Sequence, residues 1–318
     1  MPRWVPGLQR VLRRDVRGVG ADRGTPRAMS IQWYPGHMSK ARQAMAEAVP
    51  SQDVIIEVLD ARMPSASENP LVTELRKQKP CIKVLSKSDL ADPEVTATWL
   101  RYFEAERRER SKERPEGKVA ALAIRTDRPG ETRTRIAELC KRLALHPRGL
   151  GKTVRAMVVG IPNVGKSTLI NVLMERKVAK VGDEPAVTKG QQRVTLKNGM
   201  TLSDNPGILW PKLEDDAASF RLALGGALPD GVLDYESVAL FGAGFFLARY
   251  PELLRARYAL GGLPADADAL LVEIGRRRGG LRSGGVVDLH KAADVLVHDF
   301  RSGALGRISL ETPPPAAE

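Results

Sequence analysis

Cysteine is nearly absent. Cys81 and Cys140 stand far apart, with no CxxC pair and no Cys/His cluster, so neither a disulfide framework nor a zinc site is supported. A reducing compartment fits that usage. Long apolar runs are lacking too: residues 237–248, the longest uncharged stretch of the C-terminal half, number about a dozen, short of the roughly 20 a membrane-spanning helix needs. No membrane insertion is expected. Acidic residues are in deficit, 38 against 50 lysines and arginines, and the resulting charge of +12 attracts polyanions without separating RNA from DNA or anionic lipid. What is abundant is ordinary apolar material, 42% of 318 residues, enough for two domain cores.

Residues 1–28 carry seven arginines (3, 10, 13, 14, 17, 23 and 27) against Asp15 and Asp22. Arginine richness invites a mitochondrial targeting reading, but two acids, several helix breakers and the want of an apolar face oppose it. Met29 followed by Ser30 and patterned sequence suggests that translation starts there. The first 28 residues then read as a basic extension, expected to be disordered.

Residues 39–49 have helical spacing and lead into 53–60, an apolar run of strand length rich in β-branched side chains. Further runs occupy 81–85, 154–159, 193–196 and 200–202. The last two flank Lys197-Asn198-Gly199, a hairpin signal. Helical segments lie between, at 131–145 and 167–174, so the alternation predicts an α/β domain with a mostly parallel sheet. The charged stretch 104–118 reads as a solvated helix end and loop. From Asp215 the character turns helical, with helices expected over 238–260 and 265–278 and one closing strand at 307–310. The pattern divides the chain into an α/β domain at 29–214, a smaller all-α domain at 215–311 and a loose proline-rich tail at 312–318.

GIPNVGKS at 160–167 is a full GxxxxGKS between a strand and a helical segment. Its glycines let the backbone curl so that successive N–H groups face phosphate oxygens, and the helix N-terminus adds partial positive charge. Lys166 is expected at the β- and γ-phosphates and Ser167 on Mg²⁺; Asn163, Val164, Gly165 and Thr168 complete the cradle. DNPG at 204–207 ends a strand. There Asp204 can hold Mg²⁺ through water, and Gly207 can sense the γ-phosphate. Thr188, in the polar loop PAVTKG at 185–190, offers a hydroxyl to the same metal. SKSD at 86–89 (Ser86, Lys87, Ser88, Asp89) follows a strand and brings a carboxylate for the base N1 and N2 donors of guanine, with a lysine stem to cover the ring. Asn is usual where Ser86 stands, and the shorter side chain is expected to weaken the tie to the phosphate loop.

The order is informative: SKSD precedes GKS, which precedes DNPG, whereas ordinary GTPases begin with the phosphate loop. The arrangement is that of a circularly permuted P-loop GTPase, with the end of the switch joined directly to the helical domain. WYPGHMSKA (33–41), DARMP (60–64) with Asn69-Pro70, DNPGILWPK (204–212), IGRRR (274–278) with SGG (283–285), and DFRSGALGR (299–307) together resemble the ribosome biogenesis GTPase A family of circularly permuted GTPases, over roughly residues 30–311.

The resemblance implies a cytoplasmic GTPase with GTP and GDP as ligands. Its partners would be the precursor of the large ribosomal subunit and its rRNA. Ile208 occupies the position of the water-orienting glutamine of Ras-like enzymes, and an aliphatic side chain cannot hydrogen-bond water. His37 matches the family's proposed replacement, with a structural or RNA-contacting role as the alternative. Asn163 matches an asparagine that holds K⁺ in some related GTPases. The segment 123–126, with Arg125, departs from the family pattern. Arg276, Arg277, Arg278, Arg282, Lys291, Arg301 and Arg307 are the cations available for RNA contact, though such residues also solvate helix ends. A monomer is expected. Two other readings stand beside this one: a GTP-regulated RNA-binding module with incidental hydrolysis, and a tRNA- or membrane-associated GTPase.

Overall fold

The computed structural model describes residues 36–113, 118–125, 127–144, 153–175, 192–204, 207–209, 215–229, 232, 234–282 and 285–315. Six strands form one sheet in the order β3-β2-β1-β4-β6-β5, with β1 Val54–Asp60, β2 Cys81–Ser86, β3 Val119–Ala123, β4 Arg155–Val159, β5 Gln192–Thr195 and β6 Thr201–Asp204. All neighbours are parallel except β5 and β6, the hairpin that Asn198-Gly199 announces. Every residue of β1 and of β2 is buried, as expected of central parallel strands covered on both faces.

Helices Pro64–Ser67 and Pro70–Arg76 carry the chain from β1 to β2, Pro93–Glu113 from β2 to β3, and Pro129–Leu143 from β3 across to β4. The chain thus leaves β1 toward one sheet edge, while β4 leads toward the other. The carboxyl ends of β1 and β4 bound a topological switch point, the place where open α/β sheets bind ligands. β3 was not anticipated: it is five residues of Val, Leu and small alanine beside a charged stretch, too little pattern for a strand reading.

Helices then follow with no further strand among the described residues: Asp216–Leu224, Tyr235–Arg249, Pro251–Tyr258, Ala267–Arg277 and Leu289–Ser302. Asp215, Asp234, Asp266 and Asp288 each accept a backbone N–H and cap the first, second, fourth and fifth of these. The helix expected over 238–260 is broken at Tyr250, because Pro251 donates no N–H and excludes the helical conformation from the residue before it. Leu289–Ser302 was missed altogether. The strand expected at 307–310 is instead an extended segment that makes single backbone bonds to loops, Ile308 N to Leu90 O at 3.0 Å and Leu310 N to Arg62 O at 2.6 Å. One continuous buried cluster runs from β1, β2, β4 and β6 into these helices, including Phe246, Leu254, Leu296 and Phe300. No described helix is long and apolar enough to cross a membrane.

Candidate functional site

The sequence motifs meet at the carboxyl end of the sheet. Gly160 follows β4 with φ +148°, and a Cβ there would lie 2.6 Å from the Val58 carbonyl oxygen. Only glycine lets β4 turn into the loop so close to β1. Gly165, at φ +100°, precedes helix Lys166–Met174. The Lys166 ammonium folds back on the loop and donates to Ile161 O at 2.7 Å. Burial lowers its pKa to about 8 although Asp204 opposes the shift, so the loop holds a desolvated cation whose charge awaits a stronger anion. Gly207 closes the other wall: a Cβ there would lie 2.8 Å from Pro162 N and 2.9 Å from Lys166 Nζ.

Asp204, buried at the end of β6, sits beside Val158 of β4 in the parallel register. Ser167 lies in the first turn of the following helix. The Ser167 hydroxyl, on the helix that follows β4, and the Asp204 carboxylate, at the end of the neighbouring β6, are hard oxygen donors, a set that suits Mg²⁺ with water completing the shell. Thr188, the third proposed metal ligand, lies outside the described residues, as does the extension 1–28. Among the described residues no group of three or more acids, histidines and cysteines is arranged to hold a metal.

The SKSD loop, residues 86–89, is held from several sides. Ser86 Oγ lies against Leu59 O at 2.9 Å and makes a close contact with Val164 O, so the hydroxyl keeps the tie to the phosphate loop despite its short side chain. Lys87 adopts φ +54° and donates to Asp60 Oδ2 at 3.0 Å. Ser88 Oγ donates to Ile124 O at 2.7 Å, at the end of β3. Asp89 Oδ1 is buried with no hydrogen-bond partner among the described residues, an acceptor suited to base N–H donors.

Asp60 and Arg62 form a buried pair that carries no assigned role in the sequence. Arg62 donates Nε to Asp60 Oδ1 at 3.0 Å and Nη2 to Oδ2 at 2.8 Å, and its guanidinium lies 4.6 Å from the Phe300 ring centre. Burial alone would raise the Asp60 carboxyl, but the charges of Arg62 and then Lys87 outweigh it and hold it far below the usual carboxylate range. Burial lowers Lys87, against the pull of Asp60. Asn69 caps helix Pro70–Arg76 through Leu71 N at 3.0 Å and donates Nδ2 to Ile208 O at 2.6 Å. Those roles had one signal, the quoted DARMP and Asn69-Pro70 motifs.

Ile208 is 2% exposed and belongs to a buried cluster with Met45 and Ala48 of helix Gly36–Ala48 and with Val49, which follows it. Its side chain serves the core, and the helix Gly36–Ala48, whose first turn includes His37, is anchored on that cluster. The His37 side chain lies outside the described residues. Asn163, at φ +57°, donates Nδ2 to Gly226 O at 2.8 Å, joining the phosphate loop to the turn after helix Asp216–Leu224.

The seven cations proposed for RNA contact divide by environment. Arg276 and Arg277 pair with Glu273, Arg282 with Asp288, and Lys291 and Arg278 reach backbone carbonyls from an exposed surface. Arg301 instead donates to Leu224 O and Ala223 O, and Arg307 to Ala91 O and Ser88 O.

Comparison with known proteins gives a consistent picture. A family profile described as "50S ribosome-binding GTPase" matches residues 155–227. The chain is 41% identical over 298 residues to ribosome biogenesis GTPase A of Priestia megaterium, covering 91% of this chain and 99% of that protein. It is 30% identical to ribosome biogenesis GTPase A of Thermotoga maritima, covering 89% and 95%. Among solved structures, GDP-bound YlqF aligns with a TM-score of 0.59 at 26% identity, covering 85% of this chain and 99% of that one. GNP-bound YlqF from T. maritima aligns at 0.58 and 27%, covering 86% and 98%.

Proposed function

The chain belongs to the ribosome biogenesis GTPase A family and hydrolyses GTP, and on that premise we propose that it binds the precursor of the large ribosomal subunit and that hydrolysis times its release. The observation that carries this reading is the joint between the phosphate loop and the helices: Asn163 donates to Gly226 O in the turn after helix Asp216–Leu224, the helix that comes next in sequence after Gly207. A change at the γ-phosphate then bears on the helical surface without an intermediary domain.

In this reading residues 29–214 are a GTP-binding domain of circularly permuted motif order, and 215–311 are the helical surface that meets rRNA. The strand order supports the permutation, since the base-reading loop follows β2 and the phosphate loop follows β4. Asp89 accepts the base N1 and N2 donors, Lys166 neutralises β- and γ-phosphate charge, and loop N–H groups hold the phosphates. Ser167 and Asp204 are the residues that would hold Mg²⁺, which would supply positive charge against the negative charge of the phosphates. Ile208 is turned into the core, so the attacking water falls to His37, whose helix is anchored on the same cluster. Asn163 beside the phosphates makes K⁺ a second cation to test. The bacterial relatives support a cytoplasmic location, and a monomer remains the expectation.

The test is GTP hydrolysis by the purified protein with and without large ribosomal subunits, in K⁺ and in Na⁺ buffer. Strong stimulation by subunits, lost in His37→Ala, is the expected result. Intact GTP binding with no stimulation would instead favour a GTP-regulated RNA-binding module whose turnover is incidental.

A further inference from the structure

We propose that Arg307, far from the nucleotide motifs in sequence, is a positioning residue for guanine selection. It seats the carbonyl immediately before Asp89. Its guanidinium donates Nη2 to Ser88 O at 3.1 Å and Nε to Ala91 O at 3.0 Å, bridging both ends of the turn that displays the carboxylate. The planar fork of arginine matches two carbonyls where lysine would reach one.

The rest of the C-terminal segment closes on the same turn. Ile308 N donates to Leu90 O at 3.0 Å, and Asp92 N donates to Ser309 Oγ at 3.2 Å. Ser309 is in turn fixed by Tyr250, whose hydroxyl donates to Ser309 O and accepts from Ser309 N, both at 3.1 Å. Gly303, at φ +80°, leaves room for Leu90 that a Cβ would occupy, lying 2.6 Å from Leu90 Cδ2. The front of the loop is fixed by Ser86 and by Ser88 Oγ, so Asp89 stands between two sets of anchors, one on the sheet and one on the C-terminal segment. Loss of the second set frees the carboxylate to leave the position that reads the base.

This inference rests on the reading of Asp89 as the guanine acceptor, and its test separates the two. GDP, IDP and ADP are competed against a fluorescent GDP on the full chain, for the wild type, Arg307→Ala, Arg307→Lys and Tyr250→Phe. IDP lacks the exocyclic amine, so the GDP-to-IDP ratio reports the contact with Asp89. Arg307→Ala is expected to weaken GDP about tenfold and IDP less, collapsing the ratio, as the loss of hydrogen bonds from a charged donor implies. Arg307→Lys should recover part of the ratio, and Tyr250→Phe should lower it modestly. A ratio unchanged in Arg307→Ala and in Tyr250→Phe, with only the melting temperature lowered, overturns the proposal and leaves Arg307 a structural residue. A wild type that does not distinguish GDP from IDP and ADP overturns the guanine reading of Asp89, and the proposal with it.

Discussion

Asn69 donates its side-chain amide to the Ile208 carbonyl at 2.6 Å in a buried setting, fixing the residue next to Gly207 to the start of helix Pro70–Arg76. The same side chain caps that helix, so an alanine there would confuse two effects. Asn69→Ser separates them, because serine retains a capping oxygen but is too short to reach Ile208. We expect about a tenfold loss in kcat for GTP, with GDP affinity within twofold of wild type, from one buried hydrogen bond at the switch. A kcat unchanged in Asn69→Ser would show that the switch is positioned without this bond.

Ser86 supplies the connection that the sequence led one to expect would be weak. Its hydroxyl meets Val164 O of the phosphate loop and Leu59 O of β1. Ser86→Ala removes the one hydroxyl proton within reach of both carbonyls, a loss of about 1–2 kcal/mol, or roughly tenfold in nucleotide affinity. Isothermal titration with GDP checks it. Equal affinity in the two proteins would mean that the loops hold their places by packing alone.

The GxxxxGKS, DNPG and SKSD motifs are legible in the sequence because each concentrates its residues in a few consecutive positions after a strand. What closes the site is not. Arg62 meets Phe300 and Leu310, Arg307 meets Ser88, and Glu311 accepts from Ser65 and Ala66, contacts that join the two ends of the chain. Taken singly, each is an ordinary charged residue, and nothing in local spacing pairs it across more than two hundred positions. β3 escaped for the opposite reason: alanine-rich edge strands have almost no alternation to read.

Arg62 is 1% exposed and its partner Asp60 is buried with it, so removing the guanidinium leaves the carboxylate with Lys87 as its one cation and the backbone N–H of residue 62 as a neutral donor among the described residues. Arg62→Ala should destabilise the protein by about 3–5 kcal/mol, the usual result of breaking a buried pair from one side. Arg62→Ala with Asp60→Asn should recover part of that loss. Chemical denaturation of the single and double variants measures both, and a double variant less stable than Arg62→Ala would refute the stranded-charge argument.

Glu57, buried in β1, has its pKa raised from 4.5 to about 7, first by burial and then by Glu68, against the pull of Lys83. The folded state therefore binds a proton more readily than the unfolded one. Stability is greatest below the unfolded value of 4.5 and declines as pH rises toward 7. Glu57→Gln removes that slope. It should be more stable than wild type at pH 8, by about 1–3 kcal/mol, with the difference narrowing by pH 5. Denaturation midpoints at the two pH values decide it, and a stability difference independent of pH would place the effect in packing.

Lys166 gives the complementary case, a cation held at about pKa 8 by burial in the phosphate loop. In the unliganded protein its charge is costly, so the folded state gains stability as pH rises from about 8 toward the unfolded value of 10.5. A bound phosphate reverses the preference by stabilising the ammonium, so binding above pH 8 must take up a proton. GDP affinity is expected to fall with rising pH, by up to about tenfold per unit above that value. The guanine N1 proton titrates in the same direction at higher pH, so the comparison is made between pH 7 and 9 and against Lys166→Gln, which binds weakly but has no ammonium to titrate. Calorimetry in two buffers of different ionisation enthalpy counts the proton directly. Proton uptake at pH 9 larger in the wild type than in Lys166→Gln, where only guanine N1 contributes, is the expected pair; equal uptake in both would assign the pH dependence to another group.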